Sequence, residues 1–223
     1  MLFAARRFGD SVIDLNEIQC LPGPISNIGI RVRFHNDVRR FVFVNDEGQR
    51  FVDERARRDE LKEKILVQNN KSCYCIIDND GLETLDHLVR RDAIRAAETS
   101  DAVKAQSLEE LASALNIPAT TLTNTIEERN AEIAFDKPQS RRFPIQTAPF
   151  WAARVGMRIH YTMGGLQINE NAQCLKEGKT ILGLYAAGEI TGCIHGRNRI
   201  GGNGLADAFT FGMIAAENIV SES

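Results

Sequence analysis

The last third of the chain sets three glycine-rich segments in order, each abutting a strand-like or helical run. They are His160-Tyr161-Thr162-Met163-Gly164-Gly165, Gly183-Leu184-Tyr185-Ala186-Ala187-Gly188-Glu189, and His195-Gly196-Arg197-Asn198-Arg199-Ile200-Gly201-Gly202-Asn203. Glycine lets a backbone approach a flat ligand closely, and the histidine, acid and arginine among these glycines can hold an anion. A long apolar run, Gly204 to Val220, follows and reads as a closing helix.

At 223 residues the chain has room for one large domain or two small ones, with enough apolar content for a core. A net charge of −3 gives no reason to expect nucleic acid as a partner. Arg39-Arg40 and Arg55 to Arg58 are basic clusters, but acids surround them and they read as a solvated face. The cysteines at 20, 73, 75, 174 and 193 are odd in number and lack C-x-x-C spacing. That pattern points to reduced thiols in a cytoplasm rather than to a disulfide frame or a zinc site. No apolar run reaches the roughly 18 residues that a membrane span needs, and no signal peptide is visible at Met1, so a soluble, cytoplasmic protein is expected.

Residues 1 to 17 read as a helix, a break at Gly9 and a short strand. Phe41 to Val44, a turn at Asn45 to Gly48, and Arg50 to Val52 read as a hairpin. Helices are expected over Asp59 to Val67 and Glu83 to Thr99, with Tyr74 to Asp78 a buried strand between them. Ser107 and Glu110 form a capping box for a helix that stops near Asn116. Pro118 suits the first turn of the next helix, to about Ala134. Residues 136 to 149 read as an irregular loop, and short strands and turns follow from Trp151.

"HYTMGG" and "NRIGGN", correctly ordered and spaced, resemble the C-terminal part of the fumarate reductase and succinate dehydrogenase flavoprotein family, nearest its flavocytochrome c and urocanate reductase branch. The resemblance implies a mixed fold, α/β and α+β. One part would be the C-terminal portion of a Rossmann-like FAD-binding domain (1–20 and 159–223), the other an inserted α+β capping domain (21–158). It implies FAD as cofactor and a small unsaturated carboxylate as substrate. By the same resemblance His160 and Arg199 bind the substrate carboxylate, and Arg58 is the active-site arginine that protonates substrate. Glu189 accepts a hydrogen bond from the flavin's ribityl chain. Gly164, Gly165 and the amides of Asn203, Gly204 and Leu205 border the cofactor. His195 reads as structural.

The family's opening strand, glycine-rich turn and helix, which cradle the FAD pyrophosphate, have no counterpart here. Gly202-Asn203-Gly204 is the nearest approach, and Asp207 stands where the third glycine belongs. The chain therefore reads as the C-terminal half of a flavoprotein. A separate chain carrying the dinucleotide-binding half or an electron donor completes it, or it is a truncated non-catalytic remnant or partner subunit that does not bind FAD alone. The pattern also departs between Gln19 and Asn45. Leu21 replaces a substrate-binding histidine, Phe34 and Asp37 replace a glutamate and an arginine of the proton relay, and Arg33 replaces a threonine. Those changes leave one carboxylate site intact and make the far end apolar, which favours an enoate with an apolar tail over fumarate.

Overall fold

A computed structural model of the chain describes residues 7, 9, 11–26, 29–30 and 32–221. The chain divides into two compact units, Leu21–Arg158 and Met1–Cys20 together with Ile159–Ser223. Apart from Arg7, the helix expected before Gly9 lies outside the described residues.

The larger unit is built on a sheet whose strands are β2 (Ile18–Pro24), β3 (Phe41–Val44), β4 (Ser72–Ile77), β5 (Ala102–Ala105) and β6 (Phe150–Thr162). Their order is β2-β6-β4-β3, with β5 also on β6. β3 on β4, β4 on β6 and β5 on β6 are all antiparallel. Side chains of a strand alternate between faces, and here both faces are covered. Phe41, Phe43, Cys75 and Trp151 meet helices α1 (Arg58–Leu66) and α3 (His87–Glu98) on one side. Val42, Val44 and Ile76 meet α4 (Leu108–Leu115) and α5 (Ala119–Ala131) on the other. Burial on both faces explains why Phe41 to Val44 is an unbroken apolar run. All five cysteines are free.

Local signals set most helix ends. The Asp78 side chain accepts from Gly81 N to start α2 (Asn79–Glu83), and Asp86 accepts from Leu88 N to start α3. The Ser107 oxygen accepts from Glu110 N at 3.1 Å, while the Glu110 carboxylate reaches back to Gln106 N rather than to Ser107. Asn116 ends α4 with a left-handed φ of 57°.

Three expectations are corrected. The second arm of the hairpin is a single bridge, Val44 to Arg50, because the buried Glu54 carboxylate accepts from Phe43 N at 3.0 Å and occupies that edge. The helix expected from Glu83 begins at His87, after α2 and a break. The stretch from Trp151 opens in one strand of 13 residues, β6, and becomes the expected short strands and turns only after Thr162.

The smaller unit pairs β1 (Val12–Ile13) with β7 (Gly165–Leu166) and β8 (Gln173–Lys176) with β9 (Lys179–Tyr185), both antiparallel. A parallel bridge joins Leu166 to Thr191. Its core is small, formed by Leu166, Ile168 and Cys174 with Val12, Ile190 and Phe211 against them. The closing helix, α6, spans Asn203–Ser221. Among the described residues no helix is long and apolar enough to cross a membrane.

Candidate functional site

The C-terminal end of β6 carries His160, Tyr161 and Thr162, of which Tyr161 is buried and its two neighbours are exposed. In an extended strand successive side chains leave opposite faces. On the exposed side the Glu189 carboxylate accepts from Thr162 N at 2.8 Å and from its hydroxyl at 3.1 Å. Glu189 sits in the one-turn helix Gly188–Ile190, entered through a φ of +77° at Gly188 that favours glycine. The strand before it, β9, is largely exposed rather than buried as its apolar residues suggest.

Gly164 and Gly165 are bare for the chain's own packing. A Cβ on Gly164 would lie 2.2 Å from the Asp14 carbonyl, and one on Gly165 would lie 2.0 Å from the Ile190 oxygen. The space that the sequence suggested for a flat ligand is filled at these two positions by neighbouring backbone.

On the buried side Arg199 stacks on Tyr161, its guanidinium carbon 4.3 Å from the ring centroid. Arg199 is only 6% exposed, yet among the described residues no carboxylate lies within ion-pair distance of it. One guanidinium nitrogen donates to the Ile200 carbonyl at 3.1 Å, and Nε is buried without a partner among the described residues. The Gln19 amide donates to the Arg199 carbonyl at 2.7 Å, which fixes the backbone of this turn.

Beneath Arg199, the Tyr161 hydroxyl lies 3.4 Å from an Asp207 oxygen, to which it donates, and 3.5 Å from His195 Nε2. His195 Nε2 lies 3.3 Å from the same Asp207 oxygen. The His195 and Tyr161 rings meet edge to face at 5.5 Å. Burial, with the Asp207 charge behind it, pushes the Tyr161 phenol up to about 12. Gly204 lets the start of α6 reach the ring: a Cβ there would come within 2.9 Å of Tyr161 Cε2. In the same turn Asn203 N donates to Ile200 O and Leu205 N to Gly202 O, while the Gly204 amide makes no such bond among the described residues.

The structure thus joins Glu189 to Thr162, and Arg199 to Tyr161, His195 and Asp207. His160, next to Tyr161, projects from the strand's exposed side. Arg58, half-buried, is the first residue of α1 in the larger unit. The substituted relay positions serve structure there: Phe34 is in the core, and Asp37 is paired with Arg39 at 2.9 Å. Sequence reasoning missed Tyr161, Gln19 and Asp207. One signal was available, a lone acid early in the apolar run from Gly204.

A family profile described as FAD binding domain matches residues 3–205. An NADH:acrylate oxidoreductase of Vibrio harveyi is 41% identical over 184 residues, 80% of this chain and 18% of its own length. A cytochrome-type fumarate reductase of Shewanella frigidimarina is 32% identical over 100% of this chain and 39% of its own. The open conformation of a flavocytochrome c3 fumarate reductase superposes with a TM-score of 0.67 at 31% identity, over 97% of this chain and 39% of that one. The chain spans well under half the length of each.

Proposed function

Because the chain belongs to the family of FAD-binding domains, we propose that it forms part of a flavoprotein that reduces the C=C bond of an α,β-unsaturated carboxylate. The observation that carries this reading is Arg199, a buried guanidinium with an unpartnered Nε and no carboxylate partner among the described residues. A buried cation is kept in a site when something of opposite charge completes it. The fork geometry of arginine suits a carboxylate. The acrylate and fumarate in the relatives' names are small carboxylates of this kind.

The residues present fit one end of FAD. Glu189 is exposed beside Thr162, and Gly204 offers an amide at the positive end of a helix of 19 residues. These groups, with Asn203 and Leu205 flanking, would hold the ribityl chain and ring edge, while Gly164 and Gly165 act indirectly by letting the backbone there pack against Asp14 and Ile190. No strand–glycine turn–helix for the pyrophosphate is found among the described residues, so that half of the cradle lies on other polypeptide. Bound FAD, once reduced, would supply the hydride that adds to the β-carbon.

The chain's own residues do the rest. Arg199 binds the carboxylate and draws electron density from the alkene; a second hydrogen bond from His160, which the resemblance implies, requires the end of β6 to turn, because His160 leaves the opposite face of the strand from Tyr161. Arg58 protonates the α-carbon; because arginine hardly gives up its proton, that role requires immediate reprotonation. Leu21 in place of a polar group favours substrates whose far end is apolar. In an FAD-loaded assembly, Arg199→Ala should lower kcat/KM for acrylate by about 30- to 4,000-fold, the range for truncating one partner of a buried charged hydrogen bond. Near-normal kinetics would remove Arg199 from the site. Arg58→Gln should cut kcat with little change in KM.

A second reading, a partner subunit without chemistry of its own, is favoured by the exposed apolar side of α6. Under it, no assembly containing this chain oxidises reduced flavin with any enoate.

A further inference from the structure

The geometry points to Tyr161, His195 and Asp207 as positioning residues that hold the Arg199 guanidinium in place with its donors unspent. The inference rests on the assignment of Arg199 made above, and it concerns groups that the proposed reaction does not itself use.

A guanidinium removed from water without an anion is costly to keep. Three features offset that cost here. The face of the Tyr161 ring, 4.3 Å from the guanidinium carbon, supplies cation–π attraction. Behind the ring stands Asp207, the single buried residue of α6, whose carboxylate takes the phenol hydrogen bond and makes the ring a better partner for a cation. His195 closes the other side, 3.3 Å from Asp207 and edge-on to Tyr161. Gln19 anchors the Arg199 carbonyl from the opposite direction. None of the three side chains competes with a ligand for the guanidinium donors, since Tyr161 offers only its π-face and Asp207 lies beyond the ring.

The charged groups acting on Tyr161 are Asp207 on α6, Glu189 on the one-turn helix and Arg199 itself, with the imidazole of His195 beside it. One Asp207 oxygen has no partner among the described residues, and the other serves this cluster.

The test uses the whole chain, labelled with ¹⁵N, and follows the Arg199 Nε–H signal identified by its loss in Arg199→Lys. In the unmodified protein that proton should exchange slowly. Tyr161→Phe, which keeps the ring, should change its exchange less than about threefold, whereas Tyr161→Leu should accelerate it at least tenfold. Asp207→Asn should bring the phenol titration down from about 12 towards 10, the assignment being made by its disappearance in Tyr161→Phe. Should Tyr161→Leu lose its circular dichroism, the phenol titration decides. Unchanged exchange in a folded Tyr161→Leu, or a phenol titration that Asp207→Asn leaves in place, overturns the inference. Propionate, a saturated carboxylate, serves as the separate probe of the underlying assignment. A protected Nε–H that ignores propionate supports the platform while counting against the carboxylate role of Arg199.

Discussion

Ionic groups in the larger unit show how far a single residue can be understood from its neighbours in sequence. Arg55 read as part of a solvated basic face, but it donates to Asp53 at 2.9 Å and to Asp136 at 3.0 Å. Asp136 and Arg142 are almost fully covered and pair at 2.8 Å, and Arg142 also holds Glu132 at 2.9 Å. These partners lie about 80 residues apart in part, at a separation no local pattern can reveal. The Arg142 and Arg55 guanidinia hold the Asp136 carboxyl well below the usual range. A folded-state value below the unfolded one stabilises fully above the unfolded pKa and is lost as pH falls beneath about 4. His35 adds to the same slope from higher pH. Burial lowers its imidazole from 6.5 to about 4, so on acidification the unfolded chain takes up the proton first. Stability should therefore decline from about pH 6.5 downward, and His35→Gln should flatten the part between 6.5 and 4. Urea titrations across that range check both. Asp136→Asn, which takes away one of the two carboxylates on Arg142 and leaves Glu132, should cost about 1.5–3 kcal/mol.

Helix ends were legible in sequence because their signals are short-range. Ser107 is where the capping box puts it, and Ser107→Ala should destabilise the larger unit by about 1 kcal/mol in the same urea titrations. Strand partners were not legible. The Phe41 to Val44 segment turns away from the hairpin its spacing suggests and joins β4, where Phe43 faces Cys75. The decision is made by a carboxylate eleven positions on, which caps the free edge. β6 was hidden for another reason. Its residues face helices on both sides in its first half and solvent in its second, so no single period runs through it. The site at its end was half legible. Arg199 and Glu189 could be picked out from their glycine-rich settings, but the alternation that separates Tyr161 from His160 appears only once the strand is known to reach Thr162.

Across the molecule, the two units differ in how completely they cover their apolar surface. In the larger unit both sheet faces are buried, whereas α6 in the smaller one turns Leu205, Phe209 and Met213 outward at 70, 72 and 65% exposure. These three stand one helical turn apart and form a stripe, of the sort that marks contact with other polypeptide. Phe209→Gln should leave stability within about 0.5 kcal/mol and raise the concentration at which the protein stays monodisperse, as light scattering can follow. The relatives, of which this chain spans 18 to 39%, carry further polypeptide that such a stripe could meet. The stripe itself was visible in the sequence as a continuous apolar run, but its outward direction was not, because the one polar residue facing inward, Asp207, reverses the usual sense of the helix.

Reoxidation of reduced flavin by an enoate tests the central claim most directly. The chain is isolated under mild conditions from its own cells, with whatever it is bound to, reduced anaerobically, and mixed with acrylate while the flavin absorbance is followed. The account predicts a yellow assembly containing this chain whose bleached colour returns on mixing, and returns far more slowly when Arg199 is replaced by alanine. A colourless preparation, or a reduced flavin that acrylate, fumarate and enoates with apolar tails all leave bleached, would contradict it.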